Sequence, residues 1–261
     1  MTSSNTQQSW PERVVLITGG TRGIGRAIAL RLAREKPKHI RLVYCMNHDA
    51  ARKTVEDLKC LGVAASAVVC DVSDENMQRE VFATLQKDFG RLDIFVANAA
   101  RTAFKPAASL DTRSWRRTMQ LNAESFLVGS QLAAGLMRGN GGGRIIGLSS
   151  LGSRFYTPSY AALGAAKAAI ENLARYLAVE LASDGINVNV VCGGFIDTES
   201  MKIIPDYARV TAAIAARTPA ARLGHAEDLA GVVAFLCSHE SDWIRGQTII
   251  ADGGISLSLG N

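Results

Sequence analysis

A chain of 261 residues, 48% hydrophobic and 20% charged, is long enough to bury the core of one large domain and too ordinary in balance for a disordered or repetitive protein. The net charge of +5 is scattered, and clusters such as Arg113, Arg116 and Arg117 have the spacing of one helix face, which argues against nucleic-acid binding; an anionic cofactor or an acidic carrier would gain modestly from it. Five widely spaced cysteines, mostly in apolar runs and read as core residues without metal-ligand spacing, an N-terminus with no apolar signal core and no apolar run of membrane-spanning length point to a reduced, cytoplasmic protein with no metal site and no membrane contact.

Residues 1–11 read as a flexible tail and residues 12–261 as one domain. Arg13–Thr18 is an apolar run of strand length, followed by Gly19-Gly20-Thr21-Arg22-Gly23-Ile24-Gly25 and a helical pattern from Arg26 to Glu35. A strand, a glycine turn and a helix put amide N–H groups and the positive helix end against a pyrophosphate. Gly19, Thr21, Arg22, Gly23, Ile24 and Gly25 are therefore candidate cofactor contacts. The second strand, Ile40–Cys45, ends without the acid that would hold the free ribose hydroxyls of NAD, and the next turn offers Met46, Asn47 and His48. With Arg22 nearby and only Asp49 to repel it, an adenosine 2′-phosphate is tolerated there; NADP(H) is favoured, with Asn47 as a further contact. Arg22 as a plain solvent-facing loop residue is the alternative.

Strand and helix keep alternating. Ala65–Cys70 is a strand ending at Asp71-Val72, an adenine contact or simply a turn and cap. A helix over Asp74–Phe89 leads to the strand Leu92–Ala97, which ends in Asn98-Ala99-Ala100, small enough for backbone to approach a cofactor. A helix from about Thr112 to Arg138 carries Asn122, either a satisfied core amide or the holder of a water and a bent backbone. After the glycine turn 139–143, Arg144–Leu148 is a strand running into Ser149-Ser150. Ile186–Val191 is another, running into Cys192-Gly193-Gly194-Phe195-Ile196-Asp197-Thr198. Residues 199–219 are mixed and proline-bounded, with Met201, Ile203, Ile204 and Tyr207 suited to covering an apolar ligand. A helix over Ala226–Cys237 and a strand over Thr248–Ala251 precede Asp252-Gly253-Gly254. Six or seven buried strands alternating with helices make an α/β protein, a single doubly wound, mostly parallel sheet flanked by helices.

Between the two serines and the strand at Ile186 lies Thr157-Pro158-Ser159-Tyr160, the expected opening of a helix reaching about Ala182. Thr157 suits its cap, Pro158 its first turn, and Ile170, Leu173, Leu177 and Leu181 give it one buried face. Tyr160 and Lys167, seven residues apart, then stand about two turns apart and can look into one cleft. A phenol whose pKa a nearby ammonium lowers is a proton donor for a developing oxyanion. For a bare Tyr and Lys, a buried phenol and a solvated ammonium is the plainer reading.

Thr18-Gly19, Gly23-Ile24-Gly25, Asn98-Ala99, Asn122, Ser150, Lys167 and Asp252-Gly253-Gly254, taken together, resemble the short-chain dehydrogenase/reductase family over nearly the whole chain. The resemblance implies a Rossmann-like domain, NAD(P)(H), and a homodimer or homotetramer built on the long helices containing Asn122 and Lys167. In most of the family the catalytic tyrosine lies four residues before the lysine; here that position is Leu163, which cannot donate a proton. Tyr160, at the wider spacing, matches the enoyl-acyl-carrier-protein reductases, and Ser149 to Ser153, Gly193 to Thr198 and Arg245 to Ile250 look like the type III enzymes of that kind. Ala97, where asparagine is common, departs from the family at a backbone-contact position. By the same resemblance Lys167 binds the nicotinamide ribose, Thr198 the carboxamide, Gly193 and Ile196 line the cofactor, and Ser150 assists or lines the pocket.

Physical chemistry supports the wider spacing. In ketone reduction hydride and proton arrive at bonded atoms; in enoyl thioester reduction hydride goes to the β-carbon while charge collects on the more distant thioester oxygen. Moving a tyrosine back three positions shifts its origin by about 4.5 Å along a helix, in the sense that conjugate reduction needs. The leading expectation is an NADPH-dependent reductase of 2-enoyl thioesters carried on acyl carrier protein or coenzyme A, with Tyr160 hydrogen-bonding the enolate oxygen. Tyr156 is a second candidate hydroxyl or an aromatic pocket lining. A ketone or 3-oxoacyl reductase, and a catalytically silent NADP-binding protein, are the alternatives.

Overall fold

A computed structural model describes residues 9–199, 201 and 206–258. β1 (Val14–Thr18) leads to α1 (Gly23–Ala33), β2 (His39–Tyr44) to α2 (His48–Cys60), and β3 (Ala65–Val69) to α3 (Glu75–Phe89). β4 (Ile94–Ala97) is followed by a long helical stretch in three parts: α4 (Thr112–Met119), a π-helical turn (Gln120–Glu124) and α5 (Ser125–Met137). β5 (Gly143–Ser150), α6 (Ala161–Glu180), β6 (Ile186–Gly193), α7 (Tyr207–Arg217), α8 (Ala226–Cys237) and β7 (Thr248–Ala251) complete the order.

The seven strands pair in parallel in the order β3-β2-β1-β4-β5-β6-β7. Strand order reverses between β1 and β4, which opens a crevice at the carboxyl ends of the central strands, the Rossmann-like arrangement for binding a dinucleotide. Every residue of β1 and of β6 is buried, because helices cover both faces. One core unites Leu85, Phe95, Phe126, Ile170 and Leu177 on the side of α3, α5 and α6. The other unites Ile28, Leu32, Leu58, Val233 and Leu236 on the side of α1, α2 and α8.

Helix starts follow local chemistry. Asp74 accepts from the amides of Asn76 and Met77 at the head of α3, and Gly90 closes that helix in the left-handed conformation at φ 68°. Asp111 accepts from Ser114 N at the head of α4.

Four expectations change. Trp10–Glu12, inside the expected loose tail, forms a 3-10 turn on which the Arg13 guanidinium sits 4.6 Å from the Trp10 ring. The continuous helix over Thr112–Arg138 is interrupted by the π turn. Cys45 and Cys60 are exposed, so only Cys70, Cys192 and Cys237 are core cysteines. The helix bearing Lys167 begins at Ala161, because Thr157 to Tyr160 forms a separate turn: Tyr160 N donates to Thr157 O at 3.2 Å, and Ser159 between them has φ 59°. Proline suits the corner of such a turn as well as it suits a helix's first position. Of the segment expected to cover a ligand, Ile203 and Ile204 lie outside the described residues; Tyr207 opens α7 and donates to Asp197 Oδ1 at 2.6 Å.

Candidate active site

The glycine turn is fastened from below. Asn98 Nδ2 donates to the carbonyls of Thr18 (3.0 Å) and Gly19 (3.1 Å), while Thr18 Oγ1 accepts from the amides of Asn98 and Ala99. Asn98 therefore holds β1 to β4, and its amide group faces the turn. A side chain at Gly25 would put its Cβ 2.2 Å from the Gly19 carbonyl, so only glycine lets α1 start this close under the loop. A Cβ on Gly23, at φ +52°, would meet among the described residues only Thr198 Cγ2, at 3.9 Å. Thr21 is buried, its carbonyl accepting from Thr54 Oγ1 at 2.9 Å, and Ile24 packs on the adjacent core. Arg22 is exposed at the N-cap of α1 with no ion-pair partner among the described residues. A bare cradle under a helix N-terminus, open above Gly23, fits a dinucleotide pyrophosphate.

Around the adenosine end, Asn47 caps α2 by accepting from Ala50 N at 2.9 Å, and Asp49 is paired with Arg52. Asp71 accepts from the Ser73 hydroxyl (2.6 Å) and amide (3.0 Å), which hold its carboxyl below the usual range. Val72 is buried, and its carbonyl takes Gln78 Nε2 at 2.7 Å. At the other end, a Cβ on Gly193 would meet Leu229, and one on Gly194 would meet Asp252. Ile196 is buried and bridges to Gly224, which places Thr198, half-buried, over the turn.

Ser150 and Tyr160 meet: their hydroxyl oxygens are 3.0 Å apart. Tyr160 is the N-cap residue of α6, with φ −105° and ψ 4°, so the turn before the helix sets its origin. A Cβ on Gly152 would fall 2.4 Å from Tyr160 Cδ1, and one on Gly164 would fall 2.3 Å from the Gly152 carbonyl; the phenol ring packs against this bare backbone. The Phe104 ring is 6.0 Å from it on the open side. Burial raises the phenol's pKa above its ordinary value, and the Ser150 hydroxyl offsets part of that rise. The expected lowering by Lys167 is absent.

Lys167, 5% exposed, instead donates from Nζ to the Leu148 carbonyl at 2.7 Å, and burial pushes its pKa down to about 8. Leu163 is 7% exposed and carries no polar atom into the site. Asn122 lies in the π turn, where Nδ2 donates to the carbonyls of Arg101 (2.9 Å) and Thr118 (2.8 Å). Its Oδ1 is buried without a partner. Tyr156 is 90% exposed and apart from this group. Sequence reasoning passed over Glu171, which is buried beside Ser149; the available signal was a charged residue one turn past Lys167 on the inward face of α6.

The family described as enoyl-(acyl carrier protein) reductase matches residues 19–256. The chain is 41% identical to a 1-cyclohexenylcarbonyl-CoA reductase of Streptomyces collinus, over 98% of this chain and 92% of the relative. It is 34% identical to a 3-oxoacyl-[acyl-carrier-protein] reductase of Haemophilus influenzae, over 94% of this chain and 99% of the relative. A short-chain type dehydrogenase/reductase from Mycobacterium ulcerans has a similar structure, with a TM-score of 0.90 and 30% identity over 97% of this chain and 93% of that one. Among the described residues no helix is long and apolar enough to cross a membrane.

Proposed function

Because the chain belongs to the short-chain dehydrogenase/reductase family and is an oxidoreductase, we propose that it reduces the carbon–carbon double bond of 2-enoyl thioesters with NADPH. The observation that carries this reading is the Ser150–Tyr160 pair at 3.0 Å, formed while Leu163 fills the position four before Lys167. Bound NADPH supplies hydride to the β-carbon. Tyr160 donates a hydrogen bond to the thioester oxygen on which the enolate charge collects, and a phenol in a desolvated setting is worth most at that point. Ser150 holds the phenol oxygen and keeps its proton in line. Gly19, Thr21, Gly23, Ile24 and Gly25 hold the pyrophosphate; Asp71, Val72, Asn98 and Ala99 border the adenosine side. Lys167 serves the nicotinamide ribose, and Gly193, Ile196 and Thr198 its carboxamide. Asn122 keeps the helix bent behind them.

The absence of an acid at the end of β2, the Asp49–Arg52 pair and an exposed Arg22 without an ion-pair partner among the described residues support NADPH over NADH, with Asn47 near the 2′-phosphate. Likeness to a cyclohexenylcarbonyl-CoA reductase supports a coenzyme A thioester, with an apolar acyl group against Phe104, over one on acyl carrier protein. A cytoplasmic homodimer or homotetramer belongs to the same proposal. The relative that reduces 3-oxoacyl groups favours ketone reduction as the second reading.

The test follows NADPH absorbance with crotonyl-CoA, then 1-cyclohexenylcarbonyl-CoA, then acetoacetyl-CoA. Turnover of an enoyl thioester, falling roughly 10²- to 10³-fold in Tyr160→Phe, is the expected result. Turnover of the ketone alone would overturn the proposal.

A further inference from the structure

One turn past Lys167, the inward face of α6 carries a second buried charged residue: Glu171 is 5% exposed. A buried carboxylate persists only when its lone pairs are filled. Oε1 accepts from Ser149 Oγ and Ser153 Oγ, each at 2.6 Å, and Oε2 accepts from Arg154 Nε (3.1 Å) and Nη2 (2.9 Å). All of these donors lie in residues 149–154, the last two residues of β5 and the start of the connection after it. That same stretch contains Ser150, bonded to Tyr160, and Gly152, the surface on which the phenol ring rests. Ser153 Oγ also stands 2.8 Å from the Ser150 carbonyl. With Lys167 on the Leu148 carbonyl, α6 grips the end of β5 at two successive turns. Cys192, paired in register with Ser149, stays a neutral thiol with its pKa pushed up to about 12 by burial, so no second anion competes for these donors.

We propose that Glu171 is a positioning residue: through Ser149, Ser153 and Arg154 it fixes the β5–α6 connection so that Ser150 and Gly152 hold the Tyr160 phenol at its working angle. A buried ion pair adds little stability over an apolar pair of the same volume, whereas a misplacement of about 1 Å in a reacting group costs about a hundredfold in rate. The inference rests on the role given to Tyr160 above.

Glu171→Gln keeps the size but turns an amide N–H₂ toward donors. Its kcat falls roughly tenfold to a hundredfold, while the NADPH dissociation constant, read by fluorescence, stays within about twofold. Ser153→Ala, a milder cut in the same network, gives a smaller loss in kcat with the same split. The decisive measurement is a cycle with Tyr160→Phe, run on whichever thioester, enoyl or 3-oxoacyl, the enzyme turns over. If Glu171 acts through the phenol, Glu171→Gln adds little to the loss already caused by Tyr160→Phe. A loss that persists at full size in the Tyr160→Phe background overturns the inference and leaves the role of Tyr160 standing. If Tyr160→Phe alone costs nothing, that role falls and the inference with it. An unchanged kcat in Glu171→Gln, or a joint fall of kcat, NADPH affinity and melting temperature, also overturns it.

Discussion

Lys167 is a cation that folding removes almost wholly from water, and its proton affinity records the cost: its pKa drops from 10.5 to about 8. The sign follows from linkage. Between pH 8 and 10.5 the unfolded chain binds the proton that the folded chain has released, so stability rises with pH across that window, and the penalty is complete below 8. Lys167→Met should therefore be inactive yet more stable than the parent at pH 7, on the order of 2 kcal/mol once the orphaned Leu148 carbonyl is counted. The gain should vanish near pH 10. Urea unfolding at the two pH values, without cofactor, checks it. Gly152→Ala is the complementary change: its Cβ would press into the Tyr160 ring at 2.4 Å, so kcat should fall at least roughly tenfold while NADPH titration is unaltered. Arg22→Ala should lower the NADPH-to-NADH ratio of kcat/KM by roughly tenfold, the loss of one charge-assisted bond.

Among elements, the stretch from α4 to α5 shows what a single amide does. Asn122 Nδ2 takes up the Arg101 carbonyl on another loop and the Thr118 carbonyl four residues earlier, at the point where the chain widens into a π turn. Asn122→Ala removes the side-chain donor to both carbonyls and should cost about 1–3 kcal/mol, seen as a lower urea midpoint, together with lower activity. Much of this level was legible beforehand. The glycine turn after β1, the bounds of α8 and β7, and the serine pair ending β5 follow from apolar runs and turn residues whose meaning is local. The break at Asn122 is not local, because one partner of its amide is a carbonyl on another loop. Nor is the start of α6: Pro158 is compatible with a turn and with a helix, and only the placement of Ser159 at φ 59° separates them. Glu171 escaped because its partners come together only after β5 and α6 have packed.

For the molecule as a whole, parallel pairing delivers the site. Gly19, Asn98, Ser150 and Gly193 all sit at the carboxyl ends of neighbouring strands, and Ser150 stands in register with Gly193, so the Ser150 hydroxyl and the turn proposed to line the cofactor share one strand pair. The alternation of strand and helix was readable from the sequence; the strand order, with its reversal between β1 and β4, was not. The exposed flank of α6 presents Tyr176 (64% exposed) and Val179 (79% exposed), apolar groups at helical spacing that suit contact with a second copy. Light scattering should give a mass at least twice the 27.8 kDa of one chain, and Tyr176→Glu with Val179→Glu should reduce it.

The turn from Thr157 to Tyr160 belongs neither to the sheet nor to the regular part of α6. On the role proposed for Tyr160, the bond the protein reduces is set by a short tether, to which the parallel strands beneath are indifferent. On the same proposal, laboratory selection to trade alkene for ketone chemistry has a small library to cover, residues 156–163.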